Sequence, residues 1–218
     1  MSAFSGGSLL IILIWMVCLG SLALTSRQRW PHKRELSRKI IHIGTGAVVP
    51  LAWLFAIPSM IAIPFAAVIT LVTAINHQWQ LIPAIEDIDR KSYGTIAYGL
   101  AITILLILFW PHRADAVCVG VLVMALGDGL AGLIGQQLNT PRWTIFQQTK
   151  SIAGTSTMAI VSALVLFALS NFTNSYLSVP VAIAIVLTAT GLEQLSIRGI
   201  DNLSVPLAVG LAWSALIH

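Results

Sequence analysis

Apolar stretches of about 17–20 residues recur from one end of this chain to the other, and that is the length a helix needs to cross the hydrocarbon core of a bilayer. They fall at residues 8–24, 40–57, 59–76, 94–110, 114–135, 152–170, 179–195 and 203–217. Each run is continuous rather than alternating, which excludes a transmembrane barrel. Composition agrees: 57% of the residues are hydrophobic and 9% are charged, where a soluble domain carries roughly a quarter charged residues. The expected fold is therefore all-α, a polytopic transmembrane helical bundle held in membrane lipids. It has eight spans, or seven, because the last run is short and only Pro58-Ser59 separates the second from the third.

The charges then fix an orientation. With the N-terminus outside, Arg27, Arg29, Lys33, Arg34, Arg38 and Lys39 fall in the first inside loop, Arg90 and Lys91 in the second, Arg142 and Lys150 in the third, and Arg198 in the fourth. Only Arg113, of twelve basic residues, is left outside, so the crowded side is assigned to the cytoplasm. This clustering in short loops also disposes of nucleic acid as a partner, although the formal net charge is +4. The acids follow the same partition: Glu35, Glu86, Asp87, Asp89 and Asp201 lie inside, Asp128 and Glu193 near the inner ends of their runs, and Asp115 alone outside. Whatever the protein does with charged ligands is expected at the cytosolic face.

The first run follows an uncharged N-terminus, unlike a cleaved signal peptide, and is expected to be a retained span. No Arg- and Ser-rich transit sequence precedes it, which suits a bacterial or archaeal chain better than a plastid precursor. Cys18 and Cys118 each sit within an apolar run and are expected to pack rather than pair. No linker, low-complexity tract or clear repeat divides the chain, so residues 1–218 are expected to form a single domain.

Asp128 is the first residue that needs a chemical reason. It stands in Met124-Ala-Leu-Gly-Asp-Gly-Leu-Ala-Gly-Leu-Ile-Gly135, where an ionised carboxylate costs about 2.5–3.5 kcal/mol on insertion scales and needs a partner or a function. It is either paired with an interior Lys or Arg for packing, or it is a metal ligand or general base, and the second is preferred. Gly129, Gly132 and Gly135 allow a helix or a ligand to approach closely. Glu193 is a second intramembrane acid, with Asp201 and Asn202 following across a short loop. Such hard oxygen donors suit Mg²⁺, although Asp201 could instead cap the final helix. Glu35, Lys39 and His42 recur at i, i+4 and i+7 and share one helix face. Lys39 alone would pass for a snorkelling residue, and His42 for either a buried, satisfied histidine or a ligand-binding one. Lys150 opens Lys-Ser-Ile-Ala-Gly154-Thr-Ser-Thr157, where a cation and free N–H groups at a helix N-terminus would suit phosphate. It is not a Walker A loop, since Thr144 and Thr149 occupy the required glycine positions. Acids, lysines, a histidine and glycines at one membrane face are the parts that phosphoryl transfer uses, and an acceptor among hydrophobic helices would be a lipid.

Four segments together resemble the polyprenol kinase family, which includes dolichol, phytol and farnesol kinases. They are Glu35-Leu-Ser-Arg-Lys-Ile-Ile-His-Ile-Gly-Thr-Gly46; Arg90-Lys-Ser-Tyr-Gly-Thr-Ile-Ala-Tyr98; Gly127-Asp-Gly-Leu-Ala-Gly-Leu-Ile-Gly135 continuing to Lys150-Ser-Ile-Ala-Gly154; and Glu193 through Gly199-Ile-Asp-Asn-Leu-Ser-Val-Pro206. They run in the family's order, and they look most like bacterial phytol kinases. The resemblance implies an integral membrane enzyme, of the bacterial inner or thylakoid membrane, that phosphorylates a long-chain isoprenoid alcohol. Phytol is favoured, with farnesol or geranylgeraniol as further acceptors. CTP is the usual donor of the family, and the choice between CTP and UTP stays open here, as does a homo-oligomeric state. The resemblance also implies that the Asp128 and Lys150 segments bracket the nucleotide. Lys39, Lys150, Ser151, Gly154, Gly127, Gly129 and Gly132 are then expected at the nucleotide; Asp128, Glu193, Asp201 and Asn202 at Mg²⁺; and Asp128 and His42 in catalysis. One departure is Ala153, where the family often has an acid after its Lys-Ser pair.

Two rival readings have a sequence test. A CDP-alcohol phosphotransferase needs Ala-Arg after Asp-Gly and two further aspartates on the same hairpin, whereas Asp128-Gly129 is followed by Leu-Ala-Gly and no Asp until Asp201. A proton- or cation-coupled transporter would carry an inverted repeat and a trail of charges across the membrane, and neither is seen.

Overall fold

A computed structural model describes residues 6–79, 93–146 and 148–217 of the chain. Glu86, Asp87, Asp89, Arg90 and Lys91, which the sequence assigns to an inner loop, lie outside the described residues. Every apolar run is helical. In chain order the elements are α1 (Gly6–Arg29), α2 (Arg34–Gly46), α3 (Val48–Leu54), α4 (Ser59–Trp79), α5 (Gly94–Phe109), α6 (Ala114–Leu122), a π-helical turn (Val123–Asp128), α7 (Gly129–Gln137), β1 (Arg142–Ile145), β2 (Gln148–Ser151), α8 (Ile152–Thr173), α9 (Val179–Gln194) and α10 (Asp201–Leu216). Helix accounts for 80% of the structure, as the all-α expectation requires. Four helical stretches are long and apolar enough to cross a membrane: α1, α4, the continuous run from α6 through α7, and α8. Helices α5 and α9 are apolar but shorter. This is a membrane protein.

The run from α6 through α7 forms the centre. From Ala116 to Val121, and again from Val123 to Ala125, every residue is buried, as expected of a helix that is apolar all round. Small residues bring its neighbours close. A Cβ on Gly120 would stand 2.5 Å from the Pro206 carbonyl oxygen, and one on Gly210 would stand 3.0 Å from that of Ala116, so α6 and α10 pack almost backbone to backbone. Gly135 and Gly154 do the same for α7 and α8, where a Cβ on Gly135 would lie 3.2 Å from Gly154 Cα. Leu10, Leu71, Phe167 and Leu187 point outward from α1, α4, α8 and α9, apolar side chains that suit contact with lipid tails.

Sequence and structure differ in two places. The run at 40–57 is divided into α2 and α3; α2 buries Ser37 and Lys39, and α3 continues as apolar packing through Val49 and Ala52. Between α7 and α8 there is a two-stranded antiparallel hairpin, with Trp143 opposite Lys150 and Ile145 opposite Gln148. Its strands are too short and too polar to register among apolar runs. Phe146, where the chain leaves β1, adopts left-handed backbone at φ 47°. Arg142 ties the hairpin back to α7 by donating to the carbonyls of Gly135 and Gln136, groups that a helix C-terminus leaves without intrahelical partners.

At the opposite end of α6, Arg113 and Asp115 form a bidentate pair with both contacts at 3.1 Å. The Trp213 indole N–H donates to Asp115 Oδ2 at 2.7 Å, and Arg113 also donates to the carbonyls of Ser214 and Ile217. This clamp fastens the end of α10 to the start of α6.

Candidate active site

Helix α2 lies against the π-helical turn, and the i, i+4, i+7 spacing presents Lys39 and His42 to Asp128. Lys39 Nζ donates to Asp128 Oδ2 at 2.6 Å and to the Asp128 carbonyl at 3.1 Å. His42 Nε2 lies 3.5 Å from Asp128 Oδ2 and 3.4 Å from the Met124 carbonyl oxygen. Both neighbours of Nε2 are acceptors, which favours the tautomer with the proton on Nε2 and the lone pair on Nδ1. The π-helical turn is a natural place for this cluster, because such turns interrupt regular helix and frequently mark functional sites. Gly132 makes room: a Cβ there would stand 2.9 Å from Lys39 Cε.

A second ion pair faces the first. Lys150, on β2, pairs with the Glu193 carboxylate at the end of α9 and donates to the Glu193 carbonyl at 2.7 Å. Gln194 donates both to Glu193 Oε2 and to Thr155 Oγ1. The hairpin, α8 and α9 are thereby joined around one buried charge pair. Asp201, at the start of α10, is within electrostatic reach of Asp128, Lys150 and Glu193. Asn202 donates to the Gly94 carbonyl at 2.8 Å, joining α10 to α5.

These groups surround a polar cavity of about 680 Å³. Arg38, Lys39, Arg142, Lys150 and Arg198 line it, as do Glu35, Asp128, Glu193 and Asp201. A second cavity, of about 420 Å³, is almost wholly apolar and runs between α1, α2, α3, α4 and α5. Arg38 and Asn202 line both cavities. His42 lines the apolar one and Asp128 the polar one, so the His42–Asp128 contact lies where the two meet. A polar chamber with five cations beside an apolar one can hold a polyanion and a lipid with their reactive ends together.

Comparison with known proteins shows the family of the chain. The chain is 36% identical over 184 residues to the phytol kinase of Synechocystis sp., covering 83% of this chain and 79% of that protein. The chain belongs to the phytol kinase family. It is a kinase, a transferase acting on an alcohol. The chloroplastic phytol kinase 1 of Arabidopsis thaliana is 29% identical and the probable phytol kinase 1 of Oryza sativa 28%, each over 83% of this chain. The chain spans 66% and 64% of the length of those two plant proteins. No family model and no solved structure matches the chain.

In this kinase, Lys39, Asp128, Gly132, Lys150, Ser151, Gly154, Glu193, Asp201 and Asn202 all line the polar cavity. Gly127 and Gly129 do not. A Cβ on Gly127 would meet Met158 Sδ at 2.6 Å, and one on Gly129 would meet Ile43 Cγ1 at 2.4 Å; they let α8 and α2 close on the π-helical turn. The N–H groups that the sequence leaves free for phosphate at the start of α8 are taken. Ile152 N–H donates to the Pro141 carbonyl, Ala153 N–H to Thr140 Oγ1, and Gly154 N–H to Ser151 Oγ at 3.1 Å. Ser151 is thus the N-cap of α8, and the cations of the cavity wall are left to attract an anion. Among the described residues no three of His, Cys, Asp and Glu are grouped closely enough to cage a metal ion.

Sequence reasoning missed Arg38, Arg142, Arg198, Gln194 and Thr155 in the cavity wall, and Tyr98 beside His42. The arginines were absorbed by the positive-inside pattern, which explains a cation near a membrane face without regard to its neighbours. Thr155 and Gln194 carried a usable signal, since each adjoins or follows closely a residue already singled out.

Proposed function

We propose that this protein phosphorylates phytol, with CTP as donor, at the cytoplasmic face of its membrane. The observation that carries the reading is the junction of the two cavities at Arg38 and Asn202, with the His42–Asp128 contact beside it. The triphosphate occupies the polar cavity, where Lys39, Lys150, Arg38 and Arg198 balance its charge. The isoprenoid chain occupies the apolar cavity, which presents few polar groups along its length. Geranylgeraniol and farnesol fit the same chemistry, since a uniform apolar wall discriminates weakly between chain lengths. The bundle crosses the membrane seven or eight times with its N-terminus outside, in a bacterial inner or thylakoid membrane, which puts the polar cavity in the cytosol.

The alcohol oxygen attacks the γ-phosphorus, the bond from that phosphorus to the β–γ bridging oxygen breaks, and the nucleoside diphosphate leaves. Asp128, on the evidence of sequence alone, would accept the hydroxyl proton. The geometry favours His42 Nδ1 as acceptor, with the Met124 carbonyl holding the ring through Nε2–H and the Asp128 carboxylate beside it stabilising the cation that forms. The donor set fits Mg²⁺: Asp128, Glu193 and Asp201 offer hard carboxylate oxygens to one cavity, and this ion is commonly held by one or two carboxylates together with substrate phosphates. Asp128 and Asp201, with Asn202 and Glu193 adjacent, would hold it. Bound there, the ion would neutralise charge on the phosphates. Lys39 and Lys150 are held by carboxylates in the present arrangement, so phosphate binding would draw the lysines away and free oxygens for the metal.

The test is phosphorylation of phytol by the purified protein in detergent with Mg²⁺, comparing CTP, UTP and ATP. Phytyl phosphate formed with CTP supports the proposal. Product formed only with UTP or ATP reassigns the donor, and product formed only from farnesol or geranylgeraniol reassigns the acceptor. No product from any alcohol, with no CTP binding, overturns the reading.

A further inference from the structure

One wall of the apolar cavity is incomplete. Helices α1 and α4 both line the cavity, and each is fastened to a different neighbour. The Trp15 indole N–H donates to the Gly44 carbonyl at 2.9 Å, and a Cβ on Gly44 would stand 2.2 Å from Leu19 Cδ1, so α1 is held on α2. A Cβ on Gly99 would stand 3.3 Å from Thr70 Cα, and the Thr70 and Thr103 hydroxyls lie 3.2 Å apart, so α4 is held on α5. Among the described residues, α1 and α4 hardly pack on each other. The gap between them opens the cavity to the outside. Leu13 of α1 and Phe65 and Val72 of α4 line the cavity and are 50%, 38% and 45% exposed. Facing the cavity does not by itself cause this, because Ile12, Val49 and Leu106 line it too and are buried. Around the opening, Leu10, Val68 and Leu71 are exposed apolar residues of the same two helices, so it gives onto lipid tails. The other end of the cavity is lined by Arg38, His42 and Asn202, beside the polar cavity.

We infer that the lipid alcohol enters sideways, through the opening between α1 and α4, and that any chain longer than the cavity remains in the bilayer. The inference rests on the alcohol kinase reading and adds the route of the substrate and the part of it that is recognised. Lateral transfer moves an isoprenoid chain from one apolar surrounding to another. The alternative route, through the polar cavity, would carry the same chain through water and past five cations. The dimensions suit a chain lying along the helices. From Ile61 to Thr73 the cavity wall on α4 covers about 18 Å at 1.5 Å rise per residue, a little over half of a hydrocarbon core roughly 30 Å thick. An alcohol with its hydroxyl at His42 therefore runs from the polar end toward the middle of the bilayer, as the neighbouring lipid tails do. A longer alcohol meets the opening instead of a closed end, so the enzyme reads the hydroxyl and the first part of the chain and does not measure total length.

The experiment measures kcat/KM of the full-length protein in lipid nanodiscs for geraniol, farnesol, phytol and a polyprenol much longer than the cavity. The wild type should use the polyprenol about as well as phytol. Leu13→Trp and Phe65→Trp narrow the opening from opposite sides, and each should lower the ratio of polyprenol to geraniol kcat/KM by about tenfold or more, the scale of an overpacked contact. Leu10→Trp, on the same helix but outside the cavity wall, should leave that ratio within about twofold of wild type. Binding is read without turnover by photo-crosslinking of the nucleotide-free wild type. Phytol carrying a diazirine at the chain end remote from its hydroxyl should label α1 and α4, and unlabelled phytol should compete where added phospholipid does not. Four results would overturn the inference: a steep fall in wild-type kcat/KM beyond phytol, a ratio unmoved by both tryptophans, label confined to the polar cavity, or equal competition by phospholipid. If the wild type phosphorylates no alcohol, the kinase reading fails, and competed labelling of α1 and α4 would still support the lateral route.

Discussion

The central helical run carries two partly buried carboxylates, Asp115 near its start and Asp128 at the end of its π-helical turn, and uses them in opposite ways. Asp115 and Asp128 are separated by about 20 Å along the axis, at 1.5 Å rise per residue. Asp115 receives both arms of Arg113 and the Trp213 indole, and Arg113 spends its remaining donors on backbone carbonyls of the last turn and C-terminal end of α10. The result is a closed clamp. Asp128 receives Lys39, has His42 at 3.5 Å and faces a cavity. Burial of a charge in an apolar bundle is therefore a poor guide to function taken alone. What separates the two ends is whether the partners close around the carboxylate or leave it beside space that a ligand can fill.

The largest effect expected from this contrast is on turnover. Asp128→Asn removes the charge that holds Lys39 and stabilises the His42 cation, and kcat should fall on the order of 10³-fold, as for a general base that loses its electrostatic support. The variant should still purify as a folded protein, judged by far-UV circular dichroism and melting temperature in detergent. Normal turnover by Asp128→Asn would place that carboxylate in the same structural class as Asp115 and erase the distinction.

Next comes the second ion pair. Lys150→Met should raise KM for the nucleotide by about 10–100-fold, the magnitude of a charge-assisted phosphate contact, while leaving KM for phytol nearly unchanged. Glu193 then loses its cation, so some loss of stability should accompany the kinetic effect. If the substitution lowered only stability, Lys150 and Glu193 would be a second clamp, and the nucleotide would have to be held by Arg38, Lys39 and Arg198.

Much of this contrast was legible in the sequence, but not the part that gives it meaning. The eight apolar runs became helices because their length and composition leave few alternatives, and the spacing of Lys39 and His42 predicted that they share a face. The glycines around Asp128 announced close approach without saying of what: Gly132 clears Lys39, whereas Gly127 and Gly129 admit Met158 and Ile43. Arg113 and Asp115 are two residues apart and could be paired by inspection, yet Trp213 lies nearly a hundred residues away, and nothing local marks it as the third member. The hairpin bearing Lys150 was hidden for a related reason, since four-residue strands have no period long enough to stand out.

The clamp should behave as structure and nothing more. Asp115→Asn weakens two charge-assisted contacts, and unfolding stability should drop by about 2–3 kcal/mol, with specific activity of the remaining folded protein within twofold of wild type. A large loss of turnover per folded molecule would mean that the far end of α6 is coupled to the site, and the two ends could no longer be treated as independent.

The smallest effect expected is from Trp213→Phe. Trp213 is fully buried, and its indole N–H meets Asp115 Oδ2 at 2.7 Å. Phenylalanine keeps much of the aromatic packing and removes one donor to a carboxylate that retains Arg113, so the loss should be about 1–2 kcal/mol. Thermal unfolding in a fixed detergent at a fixed scan rate would register it, and phytol phosphorylation would not. The informative measurement is the double variant with Asp115→Asn. Residues that share a hydrogen bond are not independent, so the combined loss should be smaller than the sum of the two single losses. Full additivity would mean that Trp213 stabilises α10 by packing alone, leaving Asp115 with Arg113 as its one charged partner and the clamp with a less complete closure than the contrast with Asp128 requires.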